Sequence, residues 1–100
     1  MDVFYLTTKT GILEREGFKI TKDYYCHKEN GVWAITDYQS GLLIKNNIDT
    51  KANCIAWVRN KDNLKNLDAY RNKDSYKRYC EALIQFKKDN HLNQKAGDKD

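Results

Sequence analysis

The dipeptide Asn30-Gly31 lies between two β-prone runs, Asp23-Tyr24-Tyr25-Cys26-His27-Lys28-Glu29 and Val32-Trp33-Ala34-Ile35-Thr36-Asp37-Tyr38. A two-residue loop that needs positive φ at both central positions is best served by Asn-Gly, so this stretch reads as a type I′ hairpin. The loop also sets the register. Cys26 should face Ile35 and Lys28 should face Trp33, with Tyr24 on the same side. The opposite side then carries Tyr25, His27, Ala34, Thr36 and Tyr38. Gln39-Ser40-Gly41 makes a second turn, and Leu42–Lys45 returns as a further strand. Upstream, Val3–Thr8 is rich in aromatic and β-branched residues and reads as a strand. Gly11–Glu16 is open between a strand and a helical turn, and Gly17 reads as punctuation before the alternating Phe18–Thr21.

The second half has a different period. Thr50 is a good N-cap, and neither Pro nor Gly interrupts the chain from there to Gly97. Cys54, Ile55, Trp57 and Val58 fall on one broad helical arc, which predicts a largely buried helix; Asn60-Lys61-Asp62-Asn63 should break or kink it. Leu64, Leu67 and Tyr70 suggest a short second helix. Asp74 or Ser75 is the expected cap of a last helix whose inner face is Tyr76, Tyr79, Cys80, Leu83 and Ile84. The expectation is therefore an α+β fold: an antiparallel β-meander of three to five strands in the N-terminal half, followed by two or three helices packed on one face. A chain of 100 residues has room for one core, assigned to residues 1–90, with 91–100 as a polar, frayed tail.

Chemistry-bearing patterns are sparse. Cys26 and His27 are adjacent on a strand and so point to opposite faces, which rules them out as a dyad. Cys54 and Cys80 sit on apolar helix faces, where a thiol is usually a small buried hydrophobe. Three cysteines and two histidines offer no paired metal-ligand spacing, and no phosphate-loop, nucleophile-elbow or zinc-helix motif is present. No enzyme, cofactor or metal is expected. The odd number of scattered cysteines, together with an N-terminus unlike a secretory signal and the lack of an 18-residue apolar run, points to a cytoplasmic protein with free thiols and no membrane span. Lys, Asn, Ile and Tyr, residues of AT-rich codons, are prominent, which suggests a phage or other mobile element of an AT-rich genome.

Charge carries the functional expectation. Residues 1–50 hold six basic and seven acidic side chains, whereas residues 51–100 hold twelve and seven. A basic excess held on a rigid helix suits a phosphate backbone or an acidic protein surface. Arg71, Lys73, Lys77 and Arg78 are the expected contacts, with solvated heads. Tyr25 and Tyr38 are a second candidate, able to stack on bases or meet a protein if no other segment covers their sheet face. The leading reading is a small non-enzymatic protein that binds nucleic acid through a basic helical face. The alternative is a protein-directed inhibitor of a host factor, such as a defence nuclease.

The layout from Gly31-Val32-Trp33 through Ser40-Gly41 to Thr50–Trp57 is similar to the DNA-binding arm-site modules of phage and transposon integrases, in which three antiparallel strands precede a helix. Thr50, Lys51 and Trp57 match that pattern. Thr36, Asp37, Tyr38 and Gln39 stand where the family places basic DNA contacts, so the family is not assigned.

Overall fold

The computed structural model describes residues 1–90, and the expected tail at 91–100 lies outside them. Five strands come first: β1 (Asp2–Thr8), β2 (Gly11–Lys19), β3 (Tyr24–Glu29), β4 (Val32–Asp37) and β5 (Leu43–Ile48). Three helices follow: α1 (Lys51–Arg59), α2 (Lys61–Arg71) and α3 (Asp74–Asp89). The sheet is an antiparallel meander in the order β1-β2-β3-β4-β5, and the fold is α+β as expected. No helix among the described residues is long and apolar enough to cross a membrane.

The hairpin register follows from its loop. Asn30 and Gly31 have φ of 55° and 83°, and Cys26 pairs with Ile35, His27 with Ala34 and Lys28 with Trp33. One face of this hairpin carries Tyr24, Cys26 and Ile35, which form the core with Ile48 and with Cys54, Val58 and Leu67 of the covering helices. Of the apolar arc expected on α1, only Cys54 and Val58 are buried; Ile55 and Trp57 are half-buried at the margin. The α1–α2 break falls at Asn60, whose side-chain oxygen accepts from the N–H groups of Asp62 and Asn63. Thr50 caps α1 by accepting from Asn53 N–H at 3.1 Å.

Two segments differ from expectation. Gly17 does not end a strand, because β2 runs through it from Gly11 to Lys19. A Cβ there would lie 2.5 Å from the Cys26 carbonyl oxygen and 2.9 Å from Phe4 Cε1, so glycine is required by close approach rather than by a turn. β2 pairs with β1 along Gly11–Gly17 but with β3 only at Phe18 and Lys19. The β1–β2 hairpin thereby swings over the second face of the sheet, where Phe4 packs on Tyr25 and His27 with ring centroids 5.4 and 4.8 Å apart. The roll is stitched by Thr7 N–H, which donates to the Gly41 carbonyl at 2.7 Å, and by Thr7 Oγ1, which donates to the Ser40 carbonyl at 2.8 Å.

β5 is also longer than the expected Leu42–Lys45. Its pairing with β4 slips twice, from Trp33–Ile48 to Ile35–Lys45 to Thr36–Leu43. Asn47, within the first of these slips, has a φ of 58°.

Gly17→Ala should lower stability by more than the ~1 kcal/mol of a typical substitution, since the added methyl meets backbone rather than a flexible side chain. Gly31→Val should also exceed that value, because a β-branched residue resists positive φ. Thermal melts of both variants check this, and an unchanged midpoint for either would remove the corresponding assignment.

Candidate nucleic-acid interface

α3 is the most regular amphipathic element, and its orientation is set from inside. Tyr76 and Leu83 are its buried residues. The Tyr76 hydroxyl donates to Asp37 Oδ2 at 2.9 Å. Toward the C-terminal end, Phe86 lies 5.9 Å from the Tyr5 ring centroid, and Lys87 Nζ sits 4.6 Å above the Tyr38 ring. These anchors turn the helix away from its expected orientation. Tyr79 and Ile84, expected inside, are 44% and 48% exposed. The cap differs as well. Lys73 occupies the N-cap without a side-chain hydrogen bond, and Asp74 stands in the first turn. The reason is the tight α2–α3 connection, in which Lys73 N–H donates to the Tyr70 carbonyl and the Lys73 carbonyl accepts from Lys77 N–H, so the helix starts before Asp74 or Ser75 can serve as caps.

The expected basic contacts divide. Lys73, Lys77 and Arg78 are exposed, and none has a carboxylate within ion-pair distance among the described residues. The pairing of Lys77 with Glu81, which the four-residue spacing permits, does not form among them. At about 100° per residue, Lys77, Ile84 and Lys88 fall within about 40° of one another, and Lys73 leads into the same line. Arg78 lies about 100° further round, beside Ser75, Tyr79 and Ala82, with which it lines a shallow depression of about 320 Å³. The surface is thus a lysine stripe on one flank and an arginine–tyrosine groove on the other.

Arg71 is not part of this surface, which corrects the expectation of a solvated head. Its side chain is only 21% exposed. Nη2 donates to Asp37 Oδ1 at 2.5 Å, Nη1 lies 3.6 Å from Asp23 Oδ1, and the guanidinium stacks over Tyr24 and Tyr76. Burial pulls the guanidinium pKa down, but the hydrogen bond and charge of Asp37 outweigh it and hold the group above its ordinary value. Asp37 is itself buried and also accepts from Ser40 N–H and Oγ–H at 2.9 and 2.7 Å. Burial, with the Asp37 hydrogen bond and charge behind it, pushes the Tyr76 hydroxyl pKa well up, so it remains a donor.

Tyr25 and Tyr38 do not form an open stacking platform. Tyr25 is 7% exposed beneath Phe4. Tyr38 is half-buried, stacked on Tyr25 at 5.1 Å and overlaid by Lys87. The segment β1–β2 covers this face, so the condition attached to that candidate is not met.

Two arrangements are not among the expectations from sequence. His27 Nδ1–H donates to Glu29 Oε2 at 2.8 Å, and His27 Nε2 accepts from Thr36 Oγ1–H at 2.7 Å; Glu29 also accepts from Arg15 Nε at 3.1 Å. The tautomer follows from the partners, because a carboxylate only accepts. The hairpin register is the signal that could have found this chain, since it puts His27 and Glu29 on one face and Thr36 diagonally across. A carboxylate–imidazole–hydroxyl chain has the order of a catalytic triad; Thr36 and His27 are both buried, and His27 lines a groove shared with Gly17, Phe18 and Trp33. In the core, Cys26 and Cys54 belong to one buried cluster. Burial and the neighbouring thiol push Cys54 up to about 11, so both remain unreactive thiols at neutral pH. No group of three or more metal-ligating side chains comes together among the described residues.

Comparison with known proteins gives no match: no family model, curated protein or solved structure is significantly similar to the chain.

Asp37→Ala should cost about 3–5 kcal/mol in denaturant unfolding, the usual effect of removing one partner of a buried pair. Arg71→Glu should be as damaging, since it sets a second carboxylate against Asp37. A Tm within a degree of wild type for either would show the network to be dispensable.

Burial lowers the His27 pKa below its ordinary 6.5, against the opposing pull of Glu29. The folded protein therefore resists a proton that the unfolded chain accepts. The stability this provides is complete above about pH 6.5 and is lost as pH falls from there toward the lower folded value. A plot of Tm against pH should slope downward from pH 7 to 5 and should be flatter in His27→Gln. An equal slope in the two proteins would contradict the neutral imidazole.

Proposed function

We propose that this chain is a small, non-enzymatic binding protein that holds the phosphate backbone of a nucleic acid against α3. The observation that carries this reading is the line Lys73, Lys77 and Lys88, with Arg78 beside it: exposed cations without ion-pair partners among the described residues, on a helix fixed from beneath by Tyr76 and Leu83. Rigid presentation lowers the ordering cost of each contact, and cations that are not already neutralised release phosphate counterions when they bind. A reducing, cytoplasmic setting is compatible with three free thiols, and a phage or mobile-element origin remains part of the proposal on compositional grounds alone.

The second reading, an inhibitor that docks on an acidic host protein, is favoured by one observation. Tyr79 and Ile84 expose apolar surface on the flanks of the same basic helix, and aromatic and aliphatic anchors surrounded by charge are typical of protein interfaces.

Salt dependence separates the two. Binding of labelled nucleic acid should weaken log-linearly with salt. Lys73→Glu with Lys77→Glu should flatten that slope by about 0.7–0.9 for each lysine replaced while leaving Tm unchanged. Wild-type binding that is absent at low salt, or indifferent to salt, would remove the nucleic-acid reading in favour of the protein partner.

A further inference from the structure

The short pairing of β2 with β3 leaves a gap beyond Gly17, where the strands part, and a groove of about 300 Å³ opens there. Its walls include Gly17, Phe18, His27, Lys28 and Trp33, with Glu16 also lining it. Phe18 and Trp33 are half-buried neighbours with ring centroids 6.1 Å apart. Each ring carries an ammonium group. Lys51 Nζ lies 3.5 Å from the Phe18 centroid, and Lys28 Nζ lies 5.7 Å from that of Trp33.

The geometry points to a site for one nucleobase of a single-stranded nucleic acid, stacked on Trp33, with the adjoining phosphate held by Lys28 and Lys51. This inference rests on the nucleic-acid reading and narrows it to single strands. The volume is at the lower end for a small-molecule pocket and suits one planar group rather than a helix or a strand. Aromatic rings alternating with lysines match a ligand that joins a π-face to an anion within a few ångströms, which is the repeating unit of a polynucleotide. Base-paired nucleic acid keeps its bases stacked within the helix and has none to give. The groove and the lysine stripe of α3 then play different parts: α3 serves any phosphate backbone, whereas the groove serves only an unpaired base. Glu16 disfavours a second phosphate at its end of the groove and leaves an acceptor for a base amino group.

The test compares a short thymidine oligomer with a duplex of the same length, both fluorescein-labelled, by fluorescence anisotropy at low salt. Trp33→Leu should weaken single-strand binding at least fivefold, the loss of about one stacked base, and should leave duplex binding within twofold. Lys73→Glu with Lys77→Glu should weaken both. In a Trp57→Phe background Trp33 is the sole tryptophan, and its emission should be quenched by the oligomer but not by the duplex. This readout does not depend on how Trp33→Leu folds. If wild type binds both forms while Trp33 emission stays constant and Trp33→Leu binds normally, the groove assignment is overturned and the α3 reading stands. If wild type binds neither form, both readings fall, and a protein ligand becomes the occupant to test.

Discussion

The buried carboxylate of Asp37 is the point at which the two halves of the chain are joined. It ends β4, accepts two hydrogen bonds from Ser40 in the following turn, one from Arg71 at the end of α2 and one from Tyr76 in the first turns of α3. A buried carboxylate without donors is costly, and one with four is a strong directional constraint. The sheet could form from its own register, but the path of the chain from α2 into α3 is set here. The exposure of Lys73, Lys77 and Lys88 follows from that path, because a helix held by Tyr76 and Leu83 turns its other faces toward solvent.

Local signals made much of this legible in the sequence. Asn30-Gly31 fixed the hairpin and its register through backbone sterics, and Thr50 and the Asn60–Asn63 break marked the helix limits through side-chain capping. What was not legible depends on contacts distant in sequence. Arg71 resembles any surface arginine until Asp37 and Asp23, far earlier in the chain, are placed beside it. Gly17 resembles a strand end until the Cys26 carbonyl arrives against it. The α3 wheel identified Tyr76 and Leu83 correctly but misplaced Tyr79 and Ile84, because periodicity gives an arc and not its centre; Tyr5, Tyr38 and Asp37 set the centre.

The candidate surfaces follow the same division. Lys73, Lys77 and Arg78 were visible as charge and remain exposed. Tyr25 and Tyr38 were visible as aromatic strand residues, yet the β1–β2 hairpin consumes their face as a second, smaller core around Phe4. The half-buried pair Phe18 and Trp33 stands at the margin of the main core, where β2 pairs with β3 only at Phe18 and Lys19.

The twofold slip of β5 against β4 also bears on how these molecules behave beside one another. β5 is an outermost strand, and Asn47 in a left-handed conformation and the exposed Lys45 interrupt its free side. A neighbouring strand approaching this edge finds no long run of evenly spaced donors and acceptors to extend, and it must leave a lysine ammonium desolvated or unpaired. Where copies of a sheet protein reach high local concentrations, regular free edges pair and seed aggregates. The irregular last strand makes the β5 edge a poor template for the sheet of a second copy.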